Sequence, residues 1–291
     1  MAEKGHLTTF ELGSISQPNP QNLFKKIGLR QASTFPGFCE KHDSDLFREL
    51  DDNGLAITPN LLATLVLRTF VQESYKKIKG RELTNSYNIG GDNFEESQRK
   101  IIEESFALGH HDLFIQSKEV LELSSEGKNS WKHIVIEFAD LFPFCFSAPI
   151  SFELKPSFGN KDPYSREIYD SCLVALLPSQ YGSKFFILFP SSQNAYVRKY
   201  LKRLGHDIKT LPSRILQTAL EVCENTYFRT SWLTGLNAET QKIIHTVFFS
   251  DMSARELLER ERIDSSILQV DEKLKIKTNT LVAKKWKQKL R

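Results

Sequence analysis

The chain lacks the features that mark secreted and membrane proteins. Its four cysteines are scattered among 291 residues, without the density typical of a disulfide framework. The sequence opens without a basic and then apolar leader, and no apolar run approaches the ~18–20 residues of a membrane-spanning helix. We therefore expect a cytoplasmic protein with reduced thiols that does not associate with membranes.

Familiar catalytic motifs are lacking as well. Gly90-Gly91 lies in a polar stretch that does not match the G-x-x-x-x-G-K-[ST] phosphate loop. We find neither a nucleophile elbow nor a cluster of paired carboxylates. The net charge of +3 is too small to indicate nucleic-acid binding by itself. The sequence therefore leaves open whether the protein is an enzyme.

The composition is that of a globular protein. Hydrophobic residues make up 40% and charged residues 26% of the chain, so it can bury a sizeable core in one large domain or two smaller ones. Phenylalanine is abundant, with 21 residues found mostly in apolar runs. These runs indicate core positions.

The first half of the chain is predicted to be mainly helical. Residues 6–10 alternate as a short strand does, and residues 14–22 carry two prolines that indicate a loop. Thr58 followed by Pro59 predicts the start of a helix that ends at about Lys79. A second helical region is predicted over 94–123, interrupted near Gly109.

The pattern changes at Trp131. Strands are predicted over 133–138, 144–154, 171–177 and 184–189, and residues 178–183 between the last two have the composition of a hairpin turn. Helices are predicted over 191–204, 212–225 and 237–249. We predict an α+β fold in which a helical N-terminal part is followed by a small antiparallel sheet covered by helices. Its four regions are an N-terminal element (1–57), a helical region (58–127), an α+β domain (128–251) and a charged, basic C-terminal tail (252–291).

Isolated histidines and cysteines within these elements favour structural roles. Adjacent helical residues point about 100° apart, so His110 and His111 are not expected to share one ion and are interpreted as a pair at a helix end. His245 lies on a mostly apolar helix and is interpreted as a core histidine. Cys145 and Cys172 lie within strands and are interpreted as small buried hydrophobic residues.

One stretch concentrates residues that bind metals. A Pro36-Gly37 turn precedes Cys39, and His42 follows at the start of a short predicted helix. A turn that presents a thiol before a helix that presents an imidazole is half of a zinc site. With only Cys39 and His42 as local ligands, and His6 as a distant third, we expect weak zinc binding or none.

These residues also carry a resemblance to a known family. The run A-S-T-F-P-G-F-C at 32–39, followed by H-D at 42–43 and L-F at 46–47, resembles a G-F-C-x-x-H-D-x-x-L-F element in a family of uncharacterised bacterial proteins. In that family the element follows a zinc-knuckle-like segment with paired cysteines and a Ser-His. Here residues 2–7 resemble only the tail of that segment. The resemblance implies a relationship to treble-clef HNH-type nucleases and no established activity.

The C-terminal segment is strongly basic. Residues 273–291 contain eight basic residues and no acidic one. The candidate nucleic-acid ligands within it are Lys284, Lys285, Trp286, Lys287, Lys289 and Arg291. Basic residues around an aromatic can bind DNA or RNA through phosphate contacts and base stacking, whereas a solvated chain end has the same composition.

Three interpretations of the function follow. The first is a metal-dependent HNH-like endonuclease that lacks the first half of its site, including the histidine that would act as base. The second is a non-catalytic binding protein associated with nucleic acid. The third is a chain whose true start lies upstream of Met1. For the chain as written, the sequence favours the second.

Overall fold

The computed structural model describes residues 1–11, 23–32, 56–86, 96–125, 131–150, 170–205, 210–249 and 274–278, together with five single positions between 41 and 50. Within these residues helices and strands are mixed, and every strand pair is antiparallel. The predicted α+β class with an antiparallel sheet is therefore confirmed.

The described strands form one eight-stranded sheet with the order β2-β1-β7-β4-β5-β6-β3-β8. In chain order the strands are β1 His6–Phe10, β2 Phe24–Gly28, β3 Trp131–Phe138, β4 Phe144–Ile150, β5 Cys172–Ser179, β6 Gly182–Pro190, β7 Tyr227–Phe228 and β8 Leu274–Thr278. The four strands predicted after Trp131 form its centre. The sheet is larger than predicted because β1 and β2 join it through β7, where Thr8 pairs with Phe228.

The five helices predicted between residues 58 and 249 occur in the predicted order. The first is longer and the last three are slightly shorter than predicted, and two short helices, Leu29–Ala32 and Thr230–Gly235, are additional. In chain order the described helices are α1 Leu29–Ala32, α2 Pro59–Ser86, α3 Glu96–Ser125, α4 Asn194–Leu204, α5 Leu211–Val222, α6 Thr230–Gly235 and α7 Ala238–Phe249. A 3-10 turn, Ser191–Gln193, precedes α4.

The predicted start of α2 is confirmed, and its predicted end is wrong. Thr58 Oγ1 accepts a hydrogen bond of 3.0 Å from the Leu61 amide, which caps the helix with Pro59 as its first residue. The helix continues through Gly80, at the point where α3 passes close to it. A Cβ atom on Gly80 would lie 2.7 Å from the Phe106 ring, so the glycine permits a close crossing of the two helices.

The α3 helix is also continuous where an interruption was predicted. Gly109 lies inside it, with the aliphatic part of the Lys77 side chain 3.6 Å from where a Cβ would stand. His110 and His111 are therefore residues of a helix interior and not of a helix end.

The hairpin between β5 and β6 forms as predicted. Ser179 pairs with Gly182, which leaves a two-residue turn. Gly182 has φ +132°, and a Cβ there would lie 2.0 Å from the Phe138 carbonyl oxygen. Only glycine meets both conditions at this position.

Side chains alternate between the two faces of the central strands. One face, which we call the aromatic face, packs against α4, α5, α6 and α7 and holds the larger apolar cluster. The other face, which we call the hairpin face, packs against the antiparallel pair α2 and α3. The central strands are therefore buried on both sides, as their continuous apolar runs indicate.

Within the described ranges, no helix is both long and apolar enough to cross a membrane. The division of the chain at residues 127 and 128 stays a prediction. Its segment 124–131 joins α3 to β3, and residues 126–130 lie outside the described ranges.

Candidate nucleic-acid interface

Most of the site residues predicted from the sequence lie outside the described part of the chain. These are Cys39 and His42 for zinc, and Lys284, Lys285, Trp286, Lys287, Lys289 and Arg291 for nucleic acid. Both assignments stay predictions. The segment predicted as a basic tail nevertheless includes a strand, because Leu274–Thr278 pairs with β3.

The described residues contain another basic surface, on α4. Gly205, with φ +81°, follows the last residue of the helix and ends it. One side of α4 is buried in the aromatic-face cluster through Val197, Tyr200, Leu201 and Leu204. This packing fixes which side of the helix meets solvent.

The exposed side of α4 is positively charged. Arg198, Lys199 and Lys202 are exposed, and no acidic residue occurs between 191 and 206. In the part of the chain that the structure describes, no ion pair involves these three side chains. Lys199 Nζ lies 5.6 Å from the centre of the Tyr196 ring. Three cations on consecutive turns of one helix can contact neighbouring phosphates of a nucleic-acid backbone.

The N-terminal end of α4 is fixed to the sheet. Lys132 of β3 donates a hydrogen bond of 3.1 Å from Nζ to Asn194 Oδ1. Ser192, in the preceding turn, donates to the Asp170 carboxylate. The basic side of α4 therefore begins beside the first residues of β3.

The sequence contained a signal for this surface that the prediction did not use. Residues 191–204 are correctly predicted as a helix that starts after Pro190 and stops at Gly205. The four basic residues in that helix, with no acid among them, are a charge asymmetry that sequence alone reveals. Which of them face solvent follows only from the packing.

A serine–histidine pair lies between α2 and α3. Ser74 Oγ and His110 Nδ1 are 2.5 Å apart, and burial, with smaller contributions from His111 and Arg81, lowers the pKa of His110. Nucleophilic catalysis also needs donors for the developing oxyanion. Both residues lie inside helices, whose backbone amides already bond within the helix. The pair therefore acts as an interhelical hydrogen bond.

The described cysteines are free and suited to packing. Burial raises the pKa of the Cys145 thiol to about 12 and that of Cys223 to about 11, and it raises the pKa of Cys172 strongly. Thiols held in the neutral form react slowly. The interpretation of Cys172 as a buried hydrophobic residue is consistent with its complete burial.

Among the described residues, no group of three or more histidine, cysteine or acidic side chains is arranged to hold a metal ion. His6 binds the Lys4 carbonyl through Nδ1 at 2.9 Å. His245 lies beside the Phe10 and Phe24 rings.

No protein-family model matches the chain, and neither a curated protein nor a solved structure is detectably similar to it.

Proposed function

We propose that this protein is a non-catalytic binding protein that associates with nucleic acid through the basic side of α4. The observation that carries the proposal is the exposure of Arg198, Lys199 and Lys202 on a helix without acidic residues. We also propose a cytoplasmic location, on the ground that the described cysteines are free.

The balance of charge on α4 distinguishes it from the other basic helix, α2. On α2, a carboxylate oxygen of Glu73 lies 3.4 Å from Lys76 Nζ and the other lies 3.1 Å from Lys77 Nζ. The Glu82 carboxylate forms an ion pair with Lys79 at 2.6 Å. These pairs neutralise much of the local charge. The cations of α4 are not neutralised in this way within the described residues, so they are available to a phosphate backbone.

The rigidity of α4 also supports binding. Four of its side chains are 8% exposed or less and pack into the aromatic-face cluster, namely Val197, Tyr200, Leu201 and Leu204. The helix is therefore held against the sheet before any ligand arrives. Preorganised cations lose less conformational entropy on binding than cations on an unfolded segment do. The basic residues predicted at the C-terminus add charge of the same sign.

The test is a salt titration of binding, followed by fluorescence anisotropy with labelled oligonucleotides. The variant Arg198→Ala/Lys199→Ala/Lys202→Ala removes three exposed cations from one surface. The control Lys26→Ala/Lys118→Ala/Lys242→Ala removes three exposed lysines from three different elements, so the two proteins have equal net charge.

We expect the α4 variant to lose at least about tenfold in affinity at low salt, with a slope of log affinity against log salt about 2–3 units shallower. The control should bind within about twofold of the unaltered chain. Equal losses in both variants would show that only net charge matters and would contradict the proposal. So would an absence of binding by the unaltered chain.

A further inference from the structure

A further cation, Lys132, lies beside the first residue of α4. Lys132 is the second residue of β3. Side chains alternate along a strand, so Lys132 points to the same side of the sheet as Ile134 and Ile136. Those two residues belong to the cluster of the aromatic face, against which α4 packs. Lys132 therefore projects from the sheet toward the basic helix.

Asn194 holds the Lys132 ammonium in a defined position. Lys132 Nζ donates a hydrogen bond of 3.1 Å to Asn194 Oδ1, and Asn194 Nδ2 donates to the Ser191 carbonyl. The two hydrogen bonds together orient the side-chain amide, with its oxygen toward the lysine. An ammonium group has three N–H donors. One is used by Asn194, and two remain for the oxygens of a ligand.

The hydrogen bond to Asn194 places Lys132 in line with two cations of α4. Asn194, Arg198 and Lys202 are four residues apart, so they form one stripe along the helix with about 6 Å between successive positions. The Cα–Cβ bonds of a helix tilt toward its N-terminus. Arg198 therefore leans toward Asn194 and the ammonium bound to it. Lys132, Arg198 and Lys202 form a line of cations from the sheet to the last turn of α4.

The part of the chain that the structure describes contains no ion pair that neutralises this line. Asp170, an acid at the same end of α4, accepts a hydrogen bond from the Ser192 hydroxyl and forms no ion pair with Lys132. Neighbouring like charges repel one another. An anion that contacts several of these cations at once would relieve that repulsion.

We propose that Lys132 binds the same nucleic-acid backbone as α4, and that successive phosphates lie along the line formed by Lys132, Arg198 and Lys202. The inference rests on the proposed function. It extends the interface from α4 onto β3 and gives the direction of the bound strand, which runs along the axis of α4. The stripe from Asn194 to Lys202 is about 12 Å long, so a polymer of phosphates can contact the whole line and a single phosphate cannot.

The experiment is a salt titration of binding to labelled oligo-dT of about 20 nucleotides, longer than one small binding site. Lys132→Met removes the charge and keeps the aliphatic stem, whereas Lys132→Arg keeps the charge. Asn194→Ala removes the hydrogen bond and keeps the lysine. The control is Lys26→Met, because Lys26 is an exposed lysine on β2, another strand of the same sheet.

We expect Lys132→Met to make the slope of log affinity against log salt about 0.7 units shallower, which corresponds to one phosphate contact with a single strand. Affinity should fall about three- to fivefold, as it should for Arg198→Ala. Lys132→Arg and Lys26→Met should keep the slope of the unaltered chain. Asn194→Ala should also keep the slope and lose no more than about twofold in affinity, because the ammonium is less preorganised.

The slope distinguishes a direct contact from structural support of α4. An equal change of slope in Asn194→Ala and Lys132→Met would show that Lys132 acts only by holding the helix, and it would overturn the inference. So would an unchanged slope in Lys132→Met, or an equal change in Lys26→Met. Circular dichroism checks that each variant is folded, and Lys132→Gln repeats the test if Lys132→Met does not fold.

The direction of the strand is tested with the two ends of the line. The double variant Lys132→Met/Lys202→Ala should lose about 1.4 units of slope, the sum of two contacts. A loss no larger than that of either single variant would overturn the line. Each of these failures leaves the proposed function intact if the triple-alanine variant of α4 still loses its affinity. An absence of binding by the unaltered chain at low salt would instead overturn the proposed function itself.

Discussion

The two faces of the sheet are covered in different ways. The aromatic face buries a large apolar cluster that includes eight phenylalanines, namely Phe10, Phe138, Phe142, Phe144, Phe146, Phe185, Phe189 and Phe228. The hairpin face buries a smaller cluster, and in two of its hydrogen bonds a nearly fully buried side chain, Thr69 or Gln116, joins a helix to the sheet or its approach. On that face, Thr69 bonds Ser147, and the Ser171 amide donates to Gln116 Oε1 at 2.8 Å.

The two faces therefore illustrate two kinds of contact between helices and a sheet, apolar burial and hydrogen bonding. Apolar burial on the aromatic face is non-directional and contributes in proportion to area. Hydrogen bonds contribute less net free energy, but a broken one leaves a buried group unsatisfied. The aromatic face therefore supplies most of the stability, and the polar contacts of the hairpin face specify how α2 and α3 sit on it.

The largest expected effect comes from shortening a buried side chain on the aromatic face. Phe185 is 0% exposed and lies 6.3 Å from the Phe146 ring, centre to centre. Phe185→Ala removes apolar burial and leaves a cavity, so we expect the free energy of unfolding to fall by about 3–5 kcal/mol. Denaturant unfolding followed by circular dichroism measures it.

Tyr181→Ala is the matched control for this change. Tyr181 lies on the same hairpin and is 79% exposed, so its loss should alter stability by less than about 0.5 kcal/mol. A cost below about 1 kcal/mol for Phe185→Ala would contradict the assignment of the main core to this face.

A smaller effect is expected on the hairpin face. Gln116 is 2% exposed and accepts the Ser171 amide, which begins the approach to β5. Gln116→Met keeps the length of the side chain and leaves that amide without its acceptor. We expect a cost of about 1–3 kcal/mol, measured by denaturant unfolding.

Lys118→Met is the control for this second change, because it places the same side chain at an exposed position of α3. Its effect should stay within about 0.5 kcal/mol. If Gln116→Met proved neutral, this hydrogen bond would not fix the position of α3 on the sheet. The contrast between the two faces would then be weaker than the structure indicates.

The sequence predicted elements well where local signals were strong. Thr58-Pro59 at the start of α2, the turn before Gly182 and the stop at Gly205 each involve chemistry contained in a few neighbouring residues. The extension of α2 through Gly80 was missed because a glycine is locally a signal for a helix end, and its close contact with Phe106 of another helix is not visible in the local sequence. The pairing of β1 with β7 and of β8 with β3 depends on contacts more than 130 positions apart in the chain, which no local pattern reveals.

The candidate site was less predictable than the fold. Arg198, Lys199 and Lys202 stand in the sequence as plainly as the basic C-terminal residues do. Their importance depends on Val197 and Leu201, which are 1% and 2% exposed and turn the charged side outward.

The smallest expected effect is on the pH dependence of the free energy of unfolding. It compares the two faces because each of them contains at least one histidine with a lowered pKa. Burial lowers the pKa of His110, His133 and His245. His110 lies between the two helices of the hairpin face. His133 points to the same side of β3 as Trp131 and Val135, which belong to the cluster on that face. His245 lies beside Phe10 of the aromatic face.

A histidine whose pKa is lowered by folding binds protons more weakly in the folded state than in the unfolded state. The unfolded imidazole takes up its proton near pH 6.5. Stability from these histidines is therefore fully present above about pH 6.5 and is lost as the pH falls below it. Most carboxylates titrate near pH 4, so the change between pH 7 and 5.5 isolates the histidines.

We expect the free energy of unfolding, measured with denaturant, to decrease steadily from pH 7 to pH 5.5. His110→Gln/His133→Gln should remove more of that decrease than His245→Gln, because two of the three histidines belong to the hairpin face. Each variant is compared with itself across pH, so any constant cost of the substitution cancels. A decrease of equal size in the unaltered chain and the double variant would show that neither histidine of the hairpin face is linked to folding. A decrease abolished by His245→Gln alone would instead assign the titration to the aromatic face, and the contrast between the faces would then be confined to their hydrogen bonds.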